Sequence, residues 1–182
     1  MPGPRPIPEI RKARMRDIPA VLSLINGFAH RGIMLPRTEF ELSESIRDFT
    51  VVLYGARIVG CAALHFYGPA IAEVRSLAVD ESAHCTGAGR ALMEALEREA
   101  REFDLDGVFA FSYAAGFFTK MGYAEVAREE LPLKAWKDCL RCPKFQACDE
   151  TAVVKILKPG AKLSYSAPLE ATLIPLPTLP RN

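Results

Sequence analysis

Apolar residues recur along this chain with two periods, and each change of period marks a new element. Glu9 to Arg14 reads as a short strand. Ile18, Val21, Leu22, Ile25 and Phe28 then fall three or four residues apart, which predicts a helix with one apolar face, capped by Asp17. Thr38-Glu39-Phe40-Glu41 is a capping box, and Phe40, Leu42, Ile46 and Phe49 predict a second helix behind it. Thr50–Tyr54 and Ile58–Tyr67 flank Gly55-Ala56-Arg57 and predict a β-hairpin. Gly68-Pro69 breaks the chain before a further strand at Ala70–Val79. From Gly87 to Phe103, Ala88, Leu92, Ala95, Leu96 and Phe103 line one side of a helix; Arg90, Glu94, Glu97, Arg98 and Arg101 line the other. Gly107–Tyr113 predicts a strand, Ala115–Met121 a short helix and Tyr123–Arg128 a strand.

The order β-α-α-β-β-β-α-β-α-β is a mixed α/β layout, with a central sheet covered by helices. Prolines crowd both ends, at Pro2, Pro4, Pro6 and Pro8 and again from Pro159 to Pro180. They predict an extended arm at 1–8, one domain at 9–157 and a tail at 158–182.

Hydrophobic residues make up 49% and charged residues 25%, an ordinary globular balance. The formal net charge of +1 leaves no broad basic face for nucleic acid or an anionic membrane, so neither is expected as a partner. No apolar run approaches the roughly 20 residues that cross a bilayer, and the proline-rich start carries no apolar secretory core. Five cysteines, an odd number, fit free thiols in a reducing cytoplasm. Cys139, Cys142 and Cys148 include a Cys-x2-Cys pair but lack a fourth Cys or His, so structural thiols rather than a metal are expected.

The most informative stretch runs from Val79 through His84-Cys85-Thr86-Gly87-Ala88-Gly89-Arg90. A strand ends, a loop of small residues follows, and a helix begins. Gly87 and Gly89 remove side chains where a ligand could meet backbone, and the free N–H groups of a helix start suit a pyrophosphate. No Lys-Ser/Thr follows the glycines, so the loop is not a Walker A P-loop, and its spacing is not the dinucleotide fingerprint. A glycine turn selected for helix packing would carry the same spacing.

With its flanking strand and long helix, this loop resembles the acetyl-CoA signature of the GNAT acetyltransferase superfamily, with His84 where Gln or Arg is usual. Phe117-Phe118-Thr119-Lys120-Met121-Gly122-Tyr123 resembles the same family's Phe-Tyr-x-Lys-x-Gly-Phe helix, with Phe118 in the place of the Tyr. The resemblance implies a GNAT-type sheet, mixed but mostly antiparallel, with strands splayed at the cofactor site. It implies acetyl-CoA as cosubstrate, held by Leu77, Ala78 and Val79, by His84, Cys85, Thr86, Gly87, Ala88, Gly89 and Arg90, and by Phe118. The strand is expected to part from its neighbour after Leu77.

Further segments resemble the acetyltransferase domain of N-acetylglutamate synthases, including Gly32–Arg37, Gly60–His65, Glu73–Val79 and Leu131–Glu150. This implies a small amino acid as acceptor, L-glutamate first, with another small amine or a non-catalytic acetyl-CoA-binding module as the alternatives, and admits a homodimer. Strict alternation puts Glu73, Arg75, Leu77 and Val79 on one strand face. Glu73 is the candidate base, and an ion pair with Arg75 is its alternative role. A dicarboxylate acceptor needs two cations; Arg37, by resemblance, and Arg75 are proposed, with Lys134 third. Ser112 matches a substrate-contacting segment, and Tyr113 substitutes for the missing Tyr as proton donor. His65, alone on its strand face, is expected to be a packed polar residue.

Overall fold

Thr38 opens the second helix as its sequence dictates: Glu41 N–H donates to Thr38 Oγ1 (3.2 Å) and Thr38 N–H donates to Glu41 Oε2 (2.8 Å). Asp17 behaves differently. Its carboxylate turns back to Arg14 N–H (2.7 Å) and the Arg11 guanidinium (2.6 Å), so it ties strand to helix instead of capping. A computed structural model gives the chain's fold, describing residues 8–131 and 142–161.

The strands are β1 (Glu9–Lys12), β2 (Phe49–Tyr54), β3 (Arg57–Phe66), β4 (Ile71–Val79), β5 (Gly107–Ser112), β6 (Ala124–Val126) and β7 (Thr151–Ile156). The helices are α1 (Ile18–Ala29), α2 (Glu39–Ser45), α3 (Ala88–Glu102) and α4 (Ala115–Lys120). The sheet runs β1-β2-β3-β4-β5-β7-β6, and β4/β5 is its parallel pair. Strand β7 was not predicted. It inserts between β5 and β6, and its antiparallel register with β5 runs from Gly107↔Ile156 to Ser112↔Thr151. The last predicted strand is correspondingly shorter than 123–128.

Two departures from ideal pleating shape the centre. Ser76 has φ +51°, a left-handed conformation without glycine. Across it the β3/β4 register slips, so that Cys61 faces Ala78 while Ala63 faces Arg75. The extra residue is a β-bulge, and it reverses the alternation of everything beyond it. Glu73 and Arg75 therefore stay on the α1 side, whereas Leu77 and Val79 pack with the α3 cluster. That corrects the single face expected for all four. The second departure is the parting of strands. β4 pairs with β5 only at Ile71, Ala72 and Glu73, so they separate after Glu73 rather than after Leu77.

The core follows this division. Beneath α3 one continuous cluster spans β3, β4, β5 and β7, through Leu64, Val74, Val108 and Val153 against Leu92 and Leu96. On the opposite face the core breaks in two. One cluster joins α1 and α2 to Val51, Cys61, Ala63 and Ala78; the other gathers Ile71, Phe109, Leu131 and Val154. Each fully buried aliphatic chain contributes about 1.5–3 kcal/mol to holding these layers. Gly60 is fixed by packing, since a Cβ there would meet Val52 Cγ1 at 2.9 Å and the Ala78 carbonyl at 3.1 Å. Glu97 on α3 is buried and receives Lys155 Nζ from β7 at 2.7 Å, which locks the inserted strand to the helix. Lys158, placed in the tail by the proline pattern, pairs with Asp104 and Asp106 at 2.9 Å each.

Candidate active site

Where β4 and β5 part, a polar row crosses the face on which the core is broken. His65 on β3 stands opposite Glu73 on β4, and Glu73 stands beside Phe109 on β5. Register partners in a sheet share a face. Glu73 is only 1% exposed. Arg75, one step along the same face, brings its Nε to 3.6 Å from Glu73 Oε2. Glu73 is therefore paired with Arg75, the alternative role expected of it, and lies where β4 and β5 part.

Beyond Glu73 the β5-side edge of β4 has no strand partner among the described residues. Leu77, Ala78 and Val79 lie along it, and Ala78 is buried. The bulge is held from behind, where the Cys61 thiol donates to the Ser76 carbonyl (3.7 Å). Burial pushes that thiol up to about 12, so it stays a neutral donor.

The edge leads into the glycine loop. Asp80 accepts from Ser82 N–H at 2.9 Å and from Arg57 at 2.7 Å; the Ser82 bonds, more than Arg57, hold its carboxyl below the usual range. Thr86 Oγ1 donates to the Ala83 carbonyl (2.6 Å) and accepts from the Tyr54 hydroxyl (2.8 Å). His84 Nε2–H donates to the Val79 carbonyl (2.9 Å), so its ring braces the loop. Cys85 and Gly87 both have positive φ, +60° and +95°, and Gly87 leads directly into α3. Open space surrounds the Cβ position of Gly87, and a Cβ added at nearby Gly89 would meet the ring of Phe117 at 3.5 Å. Ala88 is buried, so it offers only backbone to a ligand, and exposed Arg90 pairs loosely with Glu94 (3.9 Å). The N–H groups of Gly87, Ala88 and Gly89 open the 15-residue helix, an arrangement that suits an anion, whereas His84 and Thr86 N–H donate to the Glu81 and Ala83 carbonyls.

The aromatic helix is shifted by one residue from expectation. Phe118 is 2% exposed and packs into the core against Tyr123, whereas Phe117 is the ring over Gly89. On a helix of little more than one turn, neighbouring residues point to different sides, and the motif alone does not say which faces the loop.

The substrate-side residues are more scattered. Asn26 of α1 brackets the Arg37 peptide, accepting from its N–H at 2.9 Å and donating to its carbonyl at 3.0 Å. Ser112 Oγ accepts from Ala114 N–H (3.0 Å), closing the turn after β5. The Tyr113 hydroxyl donates to Asp149 (2.8 Å) and accepts from Lys144 (3.0 Å) on the surface. Desolvation pushes the phenol above its ordinary value, and its proton is engaged by Asp149. Lys134 and Cys139 lie outside the described residues. Cys148 accepts from Arg128 Nη2 at 2.8 Å, and no cluster of three metal-ligating side chains occurs among the described residues. Sequence reasoning missed Asp48, whose Oδ2 lies 2.8 Å from His65 Nδ1. The two are 17 positions apart, and no local pattern joins them.

Comparison with known proteins gives consistent results. The Acetyltransferase (GNAT) family model matches residues 19–123. An uncharacterised N-acetyltransferase of Chlorobaculum tepidum is 44% identical over 148 residues, covering 81% of this chain and 96% of that protein. An amino-acid acetyltransferase of Mycobacterium tuberculosis is 34% identical over 123 residues, covering 65% of this chain and 70% of that protein. Among solved structures, N-acetylglutamate synthase from Neisseria gonorrhoeae, complexed with coenzyme A and N-acetyl-glutamate, superposes with a TM-score of 0.75 at 28% identity. That match spans 84% of this chain and 35% of the larger one.

Proposed function

Since the chain belongs to the acetyltransferase (GNAT) family and is an acetyl-CoA-dependent N-acetyltransferase, we propose that its acceptor is the α-amine of an amino acid, L-glutamate. The observation that carries this assignment is the pairing of buried Glu73 with half-buried Arg75 at the parting of β4 and β5. A buried carboxylate beside a cation, on the face where the core is interrupted, suits a zwitterionic acceptor: Glu73 receives the ammonium and Arg75 a carboxylate. Arg37, whose peptide is bracketed by Asn26 of α1, would supply the second cation that a dicarboxylate needs. The likeness to amino-acid acetyltransferases and to a synthase solved with N-acetyl-glutamate supports the choice of glutamate.

Acetyl-CoA supplies an activated acetyl thioester. The backbone from His84 to Gly89 would take its pyrophosphate, and the helix dipole of α3 adds favourable potential there. The free edge of β4 at Leu77–Val79 would hold the pantetheine arm and offer N–H groups to the thioester oxygen. Phe117 would cover the arm from α4. Glu73 would take the ammonium proton, directly or through one water, so that the amine can attack. Ser112, at the end of β5, would contact the acceptor across the cleft. The four described thiols, Cys61, Cys85, Cys142 and Cys148, are unpaired, which fits work in a reducing cytoplasm on the route to arginine.

Thiol release from acetyl-CoA, measured across the common amino acids, tests the assignment. Glutamate is expected to give the highest kcat/KM, with product formation confirmed by mass. Stimulation by a different amine replaces glutamate with that acceptor. Binding of the coenzyme without stimulation by any amine overturns an enzymatic role at this site.

A further inference from the structure

Acetylating an ammonium ion removes two protons from its nitrogen. The new C–N bond forms as the C–S bond breaks, and one proton goes to the departing thiolate, whose kind has a pKa near 8.5. The other must leave the protein on every turnover. Glu73 is placed to collect it, but at 1% exposure Glu73 cannot pass it straight to bulk water.

From the row of residues beside Glu73, we infer that Asp48 and His65 form its proton exit, an inference that rests on Glu73 acting as the base. His65 and Glu73 are register partners on β3 and β4, which sets their Cβ atoms about 5 Å apart on one face. Direct transfer or transfer through one water spans that gap. Asp48 Oδ2 accepts from His65 Nδ1–H at 2.8 Å, which leaves Nε2 with its lone pair free to receive a proton. The Tyr67 ring meets the imidazole edge-on at 5.3 Å and fixes its plane. Side-chain exposure rises along the path, from 2% at Glu73 to 28% at His65 and 26% at Asp48. The proton then moves from ammonium to Glu73, to His65 Nε2, and out to buffer, while Asp48 steadies the imidazolium. Arg75 flanks Glu73 at 3.6 Å, one step along the same strand face.

His65 thus acts through Glu73, and Asp48 positions His65. The test is steady-state acetylation at low buffer concentration by H65A, H65Q and D48N, with E73Q in parallel and folding checked by circular dichroism. H65A and H65Q should lose kcat by about a hundredfold with KM little changed. Added imidazole should restore H65A turnover in a concentration-dependent way, while leaving wild type unaffected. D48N should fall between wild type and H65Q. Undiminished kcat in H65Q, or a loss that imidazole does not relieve, overturns the exit and leaves Glu73 as base. Undiminished activity in E73Q overturns the base assignment, and the exit falls with it.

Discussion

In the proposed reaction Glu73 would owe its role as base to its environment. Its position on β4 removes it from solvent, Arg75 keeps a cation at 3.6 Å, and the pairing of β4 with β5 ends at its position. Replacing it with Gln keeps size and hydrogen bonding but removes the capacity to accept a proton. E73Q should lower kcat by about 10²–10⁴-fold, the usual contribution of a placed general base. Coenzyme A affinity, measured by calorimetry, should not change, because the proposed grip lies in the loop around Gly87 and along Leu77–Val79. Equal losses in turnover and coenzyme affinity would place Glu73 in the coenzyme's site instead. Tyr113 differs: its hydroxyl already donates to Asp149, which makes it a weaker candidate for donating to the thiolate.

At the level of elements, most of the layout was legible because apolar spacing is local. Ile18, Val21 and Ile25 announced α1, and Thr38 with Glu41 announced α2. What escaped depended on distant partners or on backbone choices with no residue signature. Strand β7 earns its place by slotting between β5 and β6, a pairing that its own six residues do not reveal. Ser76 adopts positive φ although serine does not advertise it, and that one residue overturned the expected alternation. The glycine loop was legible because Gly87 requires a left-handed conformation that its sequence permits. Asp17 was recognised as a helix-start residue, but its partner in β1 was not. The hydrogen bond from Arg11 holds the Asp17 carboxyl below its ordinary value. Its stabilisation is therefore complete above the unfolded pKa, near 3.9, and is lost as pH falls through the lower folded value. D17N should be less stable than wild type by about 1.5–3 kcal/mol at pH 7 in urea unfolding. The gap should narrow below about pH 4, as wild type loses the interaction too. A gap that stays constant down to pH 2 would mean that the carboxylate's charge is not what ties β1 to α1.

The whole molecule is a sheet divided by its own central cleft. On the α3 side one core runs under both halves and keeps them in register; on the α1 side the core is split, and the polar row from His65 to Arg75 lies in the gap. Three pairs of residues join β4 to β5, so beyond Glu73 β4 is held by β3 on one edge and by packing with the α3 cluster. A ligand that lies along the β5-side edge of β4 and ends in the glycine loop would bridge the halves, and its binding free energy would add to global stability. At a hundredfold excess over Kd, acetyl-CoA should stabilise the protein by about 2.7 kcal/mol. For a chain of this size that corresponds to a rise in Tm of roughly 5–10 °C. Hydrogen exchange should slow at Leu77–Val79 and Gly87–Gly89 more than in α1. E73Q should show the same rise in Tm, because it touches the acceptor's proton and not the coenzyme. A valine at Gly87 should abolish the rise, since its positive φ resists a β-branched side chain whose bulk would also enter the open space there. Protection confined to α1 and α2, with none along β4, would put the coenzyme on the wrong side of the sheet and remove the basis for aiming its thioester at Glu73.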